Sequence, residues 1–85
     1  MIIDTGDGRL YLITEHAEMR LVERKILEEW IIDTLLNLDI EEPSKDEGRL
    51  DRLKNFPGFT LKIVTEPDPD QYFDEIIVTI IRKNK

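Results

Sequence analysis

A chain of 85 residues, 40% of them apolar, can bury one core and not two, so residues 1–85 read as a single domain. The lack of cysteine excludes disulfides and thiolate metal sites. With no long apolar run and no basic leader at Met1-Ile2-Ile3-Asp4, the chain reads as cytoplasmic, with no membrane partner. A net charge of −7, taken whole, argues against a polyanionic partner.

Asp4-Thr-Gly-Asp-Gly8 is a turn cluster, and Arg9–Ile13 is a short apolar strand after it. Thr14 is placed to cap a helix from Glu15 to Arg24. Ala17 and Leu21 form part of its inward stripe, flanked by Met19 and Val22. Lys25-Ile26 marks a tight corner. In the following stretch Leu27, Trp30, Ile31, Thr34, Leu35 and Leu38 recur at helical spacing, which predicts a second helix over Leu27–Leu38. Trp30 reads as a core anchor. The acidic, proline-containing Asp39–Gly48 reads as a mobile loop.

The period then changes to two. Arg49–Phe56 alternates, with Leu50, Arg52, Lys54 and Phe56 on one face. After the turn pair Pro57-Gly58, Phe59, Leu61 and Ile63 alternate with Thr60, Lys62 and Val64 in a second strand. Glu66–Asp74 is a proline-broken acidic loop, and Glu75–Arg82 is almost entirely β-branched. Apolar residues on both faces of that segment predict a central strand, or one face left for a partner. Helices followed by strands predict an α+β class, with the helices on one face of an antiparallel meander.

The acids are concentrated. Glu28–Glu47 holds eight against Lys45 alone, Glu66–Glu75 holds five against no base, and the remainder has 11 bases against 6 acids. A cationic face on an acidic body is therefore available, and screening over about 8 Å makes local sign outweigh the total.

His16, Arg20 and Arg24 follow at four-residue steps, which drift slowly around one helix face, and Glu23 shares it. A titratable imidazole beside permanent cations can move a proton next to a phosphate. Each residue also has a plainer reading. His16 can tie the helix to a neighbouring carbonyl, Arg20 can pair with an acid, and Arg24 can close the helix end. β-propensity alone accounts for Thr79. There is no glycine-rich phosphate loop, no triad and only one histidine, so no cofactor or metal is expected.

The helix T-x-H-A-x-x-R-x-x-E-R (Thr14–Arg24), the following K-I-L-E-E-W-I-I-x-T-L (Lys25–Leu35) and the closing I-V-T-I-I-R (Ile77–Arg82) resemble a widespread prokaryotic domain family of unknown function. That family is thought to be related to the RelE- and BrnT-type toxin ribonucleases. The resemblance implies a RelE-like fold, with two amino-terminal helices on an antiparallel β-sheet of three to four strands. It also implies metal-independent RNA cleavage. His16 would be the acid/base, Arg20 and Arg24 the phosphate clamps, and Thr79 or Arg82 the late-strand contribution. Apart from that carry-over, the basic residues Arg52, Lys54, Arg82 and Lys83 are candidate phosphate or RNA contacts. Relatives usually carry Gly where Lys25 stands and often Ser where Leu27 stands. The alternative is a catalytically silent module that binds an antitoxin or other protein, or forms a homodimer. The acidic balance and the two-faced strand Ile76–Ile81 motivate that alternative.

Overall fold

The computed structural model describes residues 1–85. Strands β1 (Ile2–Asp4) and β2 (Leu10–Ile13) precede helices α1 (Glu15–Glu23) and α2 (Glu28–Leu36). Strands β3 (Ile40–Pro43), β4 (Leu50–Phe56), β5 (Phe59–Pro67) and β6 (Glu75–Asn84) follow. The class is α+β, as the order of periods requires, but the sheet is larger than expected. It has six strands in the order β1-β2-β6-β5-β4-β3, not three or four. It is also mixed: β2 runs parallel to β6, with Leu12 opposite Ile76, and every other neighbouring pair is antiparallel.

The meander β4-β5-β6 is the predicted one, and β6 lies inside the sheet as its two-faced apolarity requires. The extra strands come from segments with weak signals. Ile40–Pro43, read as loop, pairs along β4 with Glu41 opposite Arg52, and all four of its residues are exposed. An acidic, proline-ended strand suits a sheet edge, where charge and proline discourage further pairing.

One face of the sheet carries the core. Ile3, Tyr11, Ile13, Leu61, Ile63, Ile77 and Ile80 pack there against Ala17, Ile26, Ile31 and Leu35. A register shift between Val64 and Thr65 changes the parity of β6, so Ile77 and Ile80 reach the same face although three residues apart.

β2 accompanies β6 only from Glu75 to Ile77. Beyond that point α1 takes its place along the strand. The Thr14 hydroxyl donates to the Val78 carbonyl, and the Arg24 guanidinium donates to the Ile80 carbonyl at 3.2 Å. Side chains of a helix thus satisfy groups that a seventh strand would otherwise take.

The helix ends explain the corner at Lys25. Thr14 caps α1 by accepting from the Ala17 N–H. At the other end the Ile26 N–H donates to the Leu21 carbonyl and the Lys25 N–H to the Val22 carbonyl, a Schellman closure with Lys25 at φ +52°. A left-handed non-glycine residue costs roughly 1–2 kcal/mol, and glycine gives back about 0.5–1 of that through greater freedom when unfolded. α2 begins at Leu27 with no side-chain cap. We therefore expect Lys25→Gly with Leu27→Ser to stabilise the domain by about 1–2 kcal/mol, read as a higher melting temperature. An unchanged or lower value would contradict this account of the corner.

Candidate functional site

Four cations meet where α1 ends beside the last residues of β6. Arg24 and Lys25 come from the helix terminus, Arg82 and Lys83 from the strand, and with Glu23, Ile81 and Asn84 they line an open cleft of about 560 Å³. Local structure fixes the two arginines. Arg24 is anchored on the Ile80 carbonyl. Arg82 reaches the Lys25 carbonyl at 3.3 Å, a cation at the negative end of the helix dipole. Its guanidinium also lies 4.4 Å from the Phe59 ring centroid and 5.3 Å from that of Trp30. Carbonyl partners orient a guanidinium without neutralising it. The one acid lining the cleft, Glu23, is held by Arg20 at 2.9 Å. The cleft is therefore positively charged on a protein of net charge −7.

Residues proposed from sequence distribute unevenly around this cleft. Arg24, Arg82 and Lys83 line it. Arg20 is half-buried and engaged by Glu23, and His16 is exposed. The three residues share one flank of α1, but eight residues separate His16 from Arg24, about 12 Å along the axis. One phosphate cannot touch both. Thr79 pairs with Val64, on the sheet face opposite Ile80 and the helices, and does not join the cleft. Lys54 donates to the Asn37 carbonyl at the end of α2 and lies 5.8 Å from the Phe56 ring, also away from it. Lys25, absent from the sequence-based set, contributes a fourth cation. Its left-handed corner was the available signal.

Arg52 sits elsewhere, 8% exposed on the helix-covered face. It donates to Glu41 at 2.9 Å, to the Thr65 hydroxyl at 3.2 Å and to Glu75. Burial works against its charge, but hydrogen bonds to Glu75 and Glu41 outweigh that and raise its pKa above the ordinary value. It is a buried cation within a network and presents no charge at the cleft.

Tyr11, in the same region, is fully buried with a hydroxyl that has no hydrogen-bond partner. Burial raises its pKa above the ordinary 10.0. A raised pKa means the folded protein holds this proton where the unfolded chain releases it. The stability tied to this one proton is present in full below pH about 10 and is lost as pH rises further. Tyr11→Phe is expected to leave stability at neutral pH unchanged or up to about 1 kcal/mol higher, and to flatten the alkaline decline. Urea titrations at pH 7 and above pH 10 would show it, and an equal alkaline decline in both proteins would refute it.

No group of three or more histidine, cysteine, aspartate or glutamate side chains is arranged to hold a metal ion. No helix is long and apolar enough to cross a membrane. The sequence profile of a family described as a domain of unknown function (DUF4258) matches residues 13–82. No curated protein and no solved structure matches the chain.

Proposed function

The chain belongs to the DUF4258 family, and we propose that it is an RNA-binding domain that grips backbone phosphate in the cleft of Arg24, Lys25, Arg82 and Lys83. The observation that carries this reading is the convergence of four cations from two elements, with the only lining acid already paired. Arginine forks suit phosphate oxygens, and two exposed lysines add charge without fixed geometry. The resemblance to a domain family thought to be related to the RelE- and BrnT-type ribonucleases supplies the polymer class. Two helices ahead of an antiparallel meander support that relationship.

Cleavage belongs to a second position on the same strand. A polyanion lying along the flank of α1 from the cleft reaches Arg20 and then His16, where the imidazole takes the 2′-hydroxyl proton as that oxygen attacks the adjacent phosphorus; the P–O5′ bond breaks, leaving a 2′,3′-cyclic phosphate and a 5′ oxygen that takes the proton back from the imidazole. That step depends on Arg20 leaving Glu23.

The test is a titration of a labelled single-stranded RNA oligomer in EDTA across a salt series. With four cations engaged, the slope of log K against log salt is expected near −3, at about −0.7 per phosphate. Absence of binding at low salt, or binding indifferent to salt, would remove the reading. Cleavage is followed in the same tubes with His16→Ala and Arg20→Ala. Loss in both variants assigns scission to this flank, whereas equal activity in all three proteins assigns it to a contaminant.

A further inference from the structure

α1 carries apolar residues on two sides: Ala17 and the partly buried Leu21 pack on the core, and Met19 and Val22 do not. Its single fully buried residue is Ala17, the smallest apolar residue it has. Met19 and Val22, by contrast, are 56% and 70% exposed. They stand three residues apart on one ridge, bordered by Glu15, Glu18 and Glu23 in a shallow surface depression of about 350 Å³. A nine-residue helix is below the length that holds itself in water, so its stability rests on what its faces pack against. The outward face has an apolar centre and a carboxylate rim, the layout of a surface that excludes water at its middle and selects sign at its edge.

From these features we infer that the outward face of α1 is a docking surface for a basic amphipathic helix of another protein. The partner lays an apolar stripe at i, i+3 and i+4 spacing across Met19 and Val22, and its flanking lysines or arginines meet Glu15 and Glu18. Charge decides among occupants. Glu15 has no ion-pair partner, and the contact of Glu18 with the chain's amino terminus is long, at 4.0 Å. A second copy of the same face would set carboxylates against carboxylates and is disfavoured. The same sign disfavours RNA at Met19 and Val22, so this surface adjoins the cleft at Glu23 without coinciding with it or with the His16–Arg20 flank.

The inference is tested with two synthetic helical peptides that share one leucine stripe, one flanked by lysines and the other by glutamates. The full protein is followed by NMR at the Met19 and Val22 methyl groups. The lysine peptide is expected to shift these signals to saturation and the glutamate peptide to leave them in place. Met19→Gln with Val22→Thr should weaken the lysine peptide about tenfold or more, and Glu15→Gln with Glu18→Gln several-fold. Both pairs alter exposed side chains, and the unchanged spectrum of the core methyl groups confirms folding. Equal binding of the two peptides, shifts confined to another surface, or dilution-dependent shifts showing that a second copy occupies the face would each overturn it.

Discussion

Arg52→Ala is expected to destabilise the protein by up to about 3–5 kcal/mol, the cost of leaving a mostly buried carboxylate without its cation. Arg52 ties β4 to three neighbours at once, through Glu41 on β3, Thr65 on β5 and Glu75 on β6. Its removal leaves Glu75, 17% exposed, with only the Thr65 hydroxyl at 2.8 Å. Against a total of about 5–15 kcal/mol for a domain, the loss takes the chain close to unfolding at physiological temperature. Urea denaturation gives the difference directly. Replacing both partners, Arg52→Met with Glu75→Leu, should recover most of it, because a dry pair is easier to hold than a lone charge. A single-variant loss below about 1 kcal/mol would mean that solvent already reaches the network.

The second large effect is on RNA affinity. Lys25→Gly keeps the corner conformation while removing a cation, and Lys83→Glu reverses an exposed one. Together they are expected to weaken RNA binding by about one to two orders of magnitude at low salt, and to flatten the salt slope by at least about 1.4. The melting temperature separates this from a folding defect, since Lys25→Gly should raise it. Unchanged affinity in a protein of equal or higher stability would place phosphate contacts outside the cleft.

Much of the architecture was legible because periodicity reports burial. The alternation Leu50, Arg52, Lys54, Phe56 puts those four on one face, and they lie there, directly opposite Thr65, Ile63, Leu61 and Phe59. The stripe through Ile31, Thr34 and Leu35 is the buried side of α2. Thr14 caps where its hydroxyl predicts. Edge strands were illegible for a physical reason. β3 is acidic and wholly exposed, and its strand character comes from β4 and not from its own residues. The parallel pairing of Leu12 with Ile76 joins segments more than sixty residues apart, and no local pattern encodes it.

The site was half legible. Helical spacing places His16, Arg20 and Arg24 on one flank. Spacing alone could not show that Glu23 occupies Arg20, or that Arg82 folds back onto the end of α1. Alternation puts Arg52 and Lys54 on one face but does not tell a buried cation from a candidate RNA contact. Glu41 and Glu75, the residues that hold Arg52 inside, lie 11 and 23 positions away.

The helix that stands in for a strand beside β6 has a cost that appears only when the domain breathes. If α1 peels off while the sheet persists, the carbonyls of Val78 and Ile80 lose Thr14 and Arg24, baring the rim of a β-branched ribbon. Melting of these nine residues alone, short of global unfolding, would therefore uncover an edge able to pair with another strand.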